Sequence, residues 1–331
     1  MLKSCLFFWR IAFLLAAILA LQLSMKSARA ADDMNKYPHI KACDTIQMLM
    51  EHPAFKGFGQ HLLTRDGDSS NQSLPINRIH SLLPYHGFVD VNTVLAGLNH
   101  MVDDVSAGKT IFYNFYSEQQ KQSDPTKAST GLFFFRGESG APFAVICPGG
   151  GFSYVGSVHE GFPYAMELSK KGFNAFVLRY RVGQGGNIAT NDLAASLSYI
   201  LANAEALGVS TENYSLWGSS AGARMVAYIG SHGAAGFGDG NLPDPSTIVM
   251  AYTGHSAFSK SDPPTFVTVS ANDRIVNIAT VEKRVQAMRE AGIEVEYLKF
   301  RNAGHGFGLG VGTDAEGWFE QAIRFWGKHI H

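Results

Sequence analysis

From about residue 110 to the C-terminus, short apolar runs rich in β-branched and aromatic residues alternate with segments of helical periodicity. No other feature of the chain constrains its fold as much, because the two periods select different backbones. "PFAVICPGGG" (142–151) reads as a buried strand that ends in glycines, and "GFPYAMELSKKG" (161–172) as a helix stopped by Gly172. "FNAFVLRYR" (173–181) is the next strand. "NDLAASLSYILANAEALG" (191–208) is a helix with Leu193, Leu197, Ile200, Leu201 and Leu207 at helical spacing. The rhythm repeats: strand "YSLWG" (214–218), helix "AGARMVAYIG", strands "STIVMAY" (246–252) and "PTFVTVS" (264–270). Helix "IATVEKRVQAMREAG" (278–292), strand "IEVEYLKF" (293–300) and helix "TDAEGWFEQAIRFWGKH" (313–329) complete it. Such alternation predicts an α/β fold whose central sheet is mostly parallel, with helices on both faces. "TIFYNFYS" (110–117) and "GLFFFRG" (131–137), joined by a polar loop without a helix, suit an antiparallel start.

Residues 31–109 do not share this rhythm and read as an N-terminal extension packed on the main domain, 110–331. "VNTVLAGLNHMVDDV" places Val91, Val94, Leu95, Leu98, Met101, Val102 and Val105 on one helical face, and "HIKACDTIQMLM" is a second helix candidate. Ahead of the extension, Lys3 and Arg10 flank the start of an apolar run too short for a comfortable span, and the run leads to Ala28-Arg29-Ala30. That is a signal-peptide pattern: residues 1–30 are expected to be cleaved after Ala30, giving a secreted or periplasmic protein without stable membrane insertion. Cleavage leaves 23 basic residues against 28 acidic ones, a formal charge of −5, which excludes an electrostatic case for nucleic acid. An oxidising compartment permits a bridge between Cys43 and Cys147, although Cys147 ends an apolar run and reads as a buried thiol. No CxxC or Cys/His cluster points to a metal.

The chemistry centres on Gly218-Ser219-Ser220-Ala221-Gly222, a G-x-S-x-G between a strand and a helix. A nucleophile on so sharp a turn sits in strained backbone geometry, and the flanking glycines remove Cβ atoms that would clash. The turn also aims the helix N-terminus at the serine, which favours developing negative charge. Ser220, not Ser219, has glycine at the required spacing on both sides. A serine hydroxyl needs a base, and His305 in "RNAGHGFG" follows the last strand; beyond it only His329 and His331 remain, near the chain end. The orienting acid belongs between them, just past a strand. Asp273 stands there, whereas Asp239 and Asp262 precede strands. "CPGGGF" (147–152) supplies a glycine loop whose Gly150 and Gly151 amides, with that of Ala221, are the expected oxyanion donors. Neither G-x-x-x-x-G-K-[ST] nor G-x-G-x-x-G is present in it, which argues against a phosphate cradle.

The order Ser220, Asp273, His305, with "PGGGF", "FVLRYRV" and "GSSAG", resembles the α/β-hydrolase superfamily across roughly residues 110–330. Within it the chain is similar to the carboxylesterase, acetylxylan-esterase and feruloyl-esterase-like group. Pro148 replaces the histidine of the "HGGG" found in hormone-sensitive-lipase-type esterases. The resemblance implies an α/β-hydrolase fold and an exported serine esterase that cleaves short acetyl-type esters of small molecules or carbohydrates, with no cofactor. A lipase, peptidase or amidase on the same fold stays open, because substrate pockets decide among them. "GFGDGNLPDPS" (236–246) is too short and polar for an apolar lipase lid, and residues 31–109 are too few for an oligopeptidase-type domain. A non-catalytic binding module is the alternative of another class. Oligomeric state is not readable from these residues.

Overall fold

The computed structural model describes residues 36–65, 71–238 and 240–331. The predicted signal segment, its cleavage after Ala30, and Asp239 lie outside the described residues. Eight strands form one sheet in the order β1-β2-β4-β3-β5-β6-β7-β8. They are β1 Phe112–Tyr113, β2 Gly131–Phe135, β3 Phe143–Cys147, β4 Asn174–Arg179, β5 Ser215–Ser219, β6 Thr247–Ala251, β7 Thr265–Ser270 and β8 Val295–Phe300. β1 and β2 pair antiparallel, as does β2 with β4, and every later pairing from β4 to β8 is parallel.

Helices α1 Ile46–Met50, α2 Val91–Ser106, α3 Glu118–Ser123, α4 Phe162–Lys170, α5 Gly186–Ala202, α6 Ala204–Leu207, α7 Ala221–His232, α8 Ile278–Glu290 and α9 Trp318–Gly327 surround the sheet. Strand residues alternate between its two faces. Phe133, Phe135, Ile146, Val177 and Phe266 bury against α4 and α9, while Leu132, Phe134, Val145 and Phe176 bury against α5 and α7. Val267, in register with Met250 on the α5/α7 face, packs with Val285 and Met288 of α8. Helices therefore cover both faces. The parallel core strands are buried along their whole length, as a sheet covered on both sides requires.

The extension belongs to the first of these cores. Phe55, Leu62, Ile79, Val94, Leu98 and Met101 join the apolar cluster containing Phe133 and Phe162. Asp90 caps α2 by accepting from the Thr93 N–H, and Val94, Leu98, Met101 and Val102 are its buried stripe. Phe58 stacks on Phe112 with ring centroids 5.0 Å apart.

Several boundaries differ from the sequence expectations. The aromatic run at 110–117 pairs only at Phe112–Tyr113, and the polar loop that follows contains α3, closed by a capping box between Ser117 and Gln120. The helix expected over 191–208 starts earlier, at Gly186, and breaks at Asn203 before the short α6, which Gly208 ends in the left-handed conformation. "HIKACDTIQMLM" is helical only from Ile46, with Thr45 as its cap. The last helix begins at Trp318 because residues 313–317 form turns. Cys43 is exposed and Cys147 buried, both as free thiols. Asp262 is buried in an ion pair with Arg284 (3.3 Å), a structural role.

Candidate active site

Ser220 stands between the end of β5 and the first residue of α7, with φ 50° and ψ −112°. Its N–H donates to the Ala251 carbonyl (2.8 Å), which fixes the turn against the end of β6. The glycine at position 222 is a steric requirement. A Cβ there would lie 1.9 Å from the Cys147 carbonyl oxygen, so α7 could not approach the end of β3. The sharp turn thus arises from one strained residue and one close helix–strand approach.

Asp273 lies three residues beyond β7. One carboxylate oxygen accepts from the Ile275 and Val276 N–H groups at 2.8 and 2.9 Å, leaving the other for His305. That oxygen is 2.8 Å from His305 Nδ1, and His305 Nε2 is 3.0 Å from Ser220 Oγ. Both side chains are largely shielded, His305 at 6% exposure and Asp273 at 0%. Residues 53 and 32 positions apart in sequence therefore meet in one hydrogen-bonded line at the carboxyl ends of the strands. An acceptor on Nδ1 leaves Nε2 able to take a proton from the serine. His305 is carried by a loop that Gly304 N–H ties to Asn272 (2.8 Å) and to Ser270 Oγ (3.1 Å). Gly306, at φ 63°, has no room for a side chain: a Cβ would lie 2.6 Å from the Tyr85 carbonyl oxygen and 2.8 Å from the His86 Cα.

The glycine loop after β3 abuts the serine. Its three glycines differ in what they bind. The Gly149 amide donates to Glu160 Oε2 at 2.5 Å. Neither the Gly150 nor the Gly151 amide has an acceptor among the described residues. Gly151 and Ala221 line a cavity of about 640 Å³ together with Ser220, Phe152, Arg224 and His255. Among the described residues Arg224 is its only charged lining side chain, apart from any charge on His255, whose burial, aided by Arg284 and Arg224, lowers its pKa to about 4. Among the described residues no cluster of His, Cys, Asp and Glu could hold a metal ion, and no helix is long and apolar enough to cross a membrane.

Sequence reasoning missed three residues beside this site. Glu160 is fully buried on a π-helical turn, Ser157–Gly161, that leads into α4. Its Oε1 accepts from the Tyr252 hydroxyl (2.7 Å) and lies 3.0 Å from His86 Nε2. Burial alone would push the Glu160 carboxyl up; the neighbouring His86, with smaller help from His159 and Tyr252, holds it down at about 2. A signal for it existed. Glu160 is the only acidic or basic residue, histidine aside, between Glu138 and Glu167, inside an otherwise apolar and glycine-rich stretch. Nothing in the sequence linked it to His86 or Tyr252.

Residues 136–248 match the BD-FAE family, and residues 238–331 match the prolyl oligopeptidase family. An acetylxylan esterase of Xylanibacter ruminicola is 26% identical over 238 residues, 63% of this chain and 49% of the relative, so the match spans about half of that relative's length. Among solved structures, an acetyl ester-xyloside bifunctional hydrolase from Caldicellulosiruptor lactoaceticus superposes with a TM-score of 0.57 at 19% identity, covering 66% of this chain and 95% of that one. An alpha/beta hydrolase enzyme from a Medee basin deep-sea metagenome gives 0.55 at 23% identity, covering 66% and 97%. The chain has the α/β-hydrolase fold.

Proposed function

We propose that the protein is a serine esterase that removes short acyl groups, acetyl foremost, from small-molecule or carbohydrate alcohols. The observation that supports this reading is the line Asp273–His305–Ser220, with 2.8 and 3.0 Å contacts, opening on the cavity. His305 Nε2 takes the Ser220 proton as Oγ attacks the ester carbonyl, and Asp273 stabilises the imidazolium that results. The tetrahedral oxygen sits on the amides of Gly150, Gly151 and Ala221. His305 then gives its proton to the leaving alcohol. Water, deprotonated by the same histidine, releases the acid from the acyl-serine. The same reading carries an export signal over residues 1–30, cleaved after Ala30, an extension over 31–109 and a catalytic domain over 110–331.

A panel of p-nitrophenyl acetate, butyrate and octanoate with acetylated xylan tests it: acetate preference and acetate release from xylan are expected. Octanoate preference would overturn the acyl assignment. The prolyl oligopeptidase match over residues 238–331, which contains Asp273 and His305, favours a peptidase as the second reading. A peptide p-nitroanilide cleaved faster than any ester would select it.

A further inference from the structure

We infer that the N-terminal extension is a working part of the active site, through a buried His86–Glu160 pair that positions the oxyanion loop. This rests on the reading of Ser220 as nucleophile. His86 reaches inward from the extension with its side chain 1% exposed and places Nε2 3.0 Å from Glu160 Oε1. Its other nitrogen, Nδ1, lies 2.8 Å from the Tyr154 hydroxyl, which accepts from the Tyr85 N–H at 3.1 Å. Both ends of the imidazole are therefore held.

Glu160 passes this constraint to the reacting centre by two routes. Through Oε2 it holds the Gly149 amide. Gly149 is packed so close to the nucleophile that a Cβ on it would lie 2.9 Å from the Ser220 Cβ. The Gly149 carbonyl accepts from Gly156 N–H (2.9 Å) and the Gly150 carbonyl from Ser153 N–H (3.0 Å), so the two peptide units that carry the free Gly150 and Gly151 amides are each pinned through their own carbonyl. Through Oε1 it holds the Tyr252 hydroxyl, and the Tyr252 ring stands edge-on to His305 with centroids 5.2 Å apart. The neighbouring Gly87 N–H donates to the His305 and Gly306 carbonyls, both at 3.2 Å. One turn of the extension thus touches the loop that bears the base and, through Glu160, the loop that faces the developing oxyanion.

A carboxylate has only acceptors, and this one is asked to take an amide, a phenol and an imidazole N–H at once. Glutamine at 160 would lose that capacity, since its amide nitrogen cannot accept. Loss of His86 would leave a buried carboxylate beside the site of developing negative charge without its partner, which disfavours the transition state more than bound substrate. His86 and Glu160 touch no reacting atom; they are positioning residues.

The test compares wild type with His86→Leu, His86→Gln and Glu160→Gln in the full chain. Turnover of p-nitrophenyl acetate is divided by the number of sites that a fluorophosphonate labels to completion, with melting temperature measured alongside. Expected are a kcat per labelled site at least tenfold lower in His86→Leu and Glu160→Gln, KM within threefold, and partial recovery in His86→Gln, which can still donate to Glu160. Wild-type kcat per labelled site in the variants, with the damage confined to melting temperature or to the number of labelled sites, would overturn the inference and leave the esterase reading standing. A wild type that turns over no ester and takes no label would overturn both.

Discussion

Replacing Ser220 by glycine removes the oxygen proposed as the nucleophile and also the Cβ that its backbone strains against. At φ 50° and ψ −112° the residue occupies a region that glycine enters freely and serine does not. A non-glycine residue in such a conformation costs about 1–3 kcal/mol. Glycine gives back about 0.5–1 kcal/mol through the greater entropy of its unfolded chain. Ser220→Ala is the control, because it loses the same hydroxyl contact to His305 while keeping the Cβ. Ser220→Gly is therefore expected to be more stable than Ser220→Ala by about 0.5–2 kcal/mol. For a chain of this size that is roughly 1–4 °C in melting temperature. Urea unfolding at matched slopes reads the difference directly as a shift in midpoint. Both variants should be inert toward esters. If Ser220→Ala equalled or exceeded Ser220→Gly in stability, the elbow would store no strain at this residue and the reasoning would fail.

Asp262→Ala strands the buried Arg284 guanidinium, otherwise 3.3 Å from the Asp262 carboxylate, and should lower stability in urea by about 3–5 kcal/mol. A loss below about 1 kcal/mol would mean the guanidinium finds other support. Burial, followed by the charge of His86, lowers the pKa of His159 to about 4, below its ordinary 6.5. The native state thus binds fewer protons than the unfolded one in that window, and this contribution to stability is complete above pH 6.5 and lost as pH falls toward 4. The unfolding free energy read from urea should drop across it by roughly 1 kcal/mol per pH unit from this group, and a flat profile would contradict the assignment. Tyr85 and Phe88 are 44% and 53% exposed beside the site, the Tyr85 ring lying 3.0 Å from where a Gly151 Cβ would be. Their aromatic faces suit the apolar face of a sugar ring, so Tyr85→Ala should raise KM for acetylated xylan severalfold while p-nitrophenyl acetate is unaffected; equal changes for both substrates would refute a platform role.

Much of this architecture is readable from periodicity alone, and the reasons are local. Strands β3 to β8 alternate with helices, except that β6 runs to β7 through a loop, and Gly218-Ser219-Ser220-Ala221-Gly222 joins a strand to a helix, so the order of elements and the place of the elbow follow directly. Asp273 and His305 were reachable because each sits just past a strand, where a parallel sheet gathers its loops. What escaped depends on approach between distant segments. His86 and Glu160 are 74 positions apart and belong to elements with no shared period. Much of the extension is held by short 3₁₀ turns, including 53–55, 59–62 and 76–82, which leave little periodic trace. The early start of α5 is likewise tertiary, since Ala189 and Thr190 are buried ahead of the leucine stripe.

Ser220 as the nucleophile is the proposal on which every catalytic expectation above depends. Incubation with a fluorophosphonate followed by peptide mapping should place a single adduct on Ser220, abolish p-nitrophenyl acetate hydrolysis in proportion to labelling, and give no adduct in Ser220→Ala. An adduct on Ser219, or full ester hydrolysis by Ser220→Ala, would contradict it.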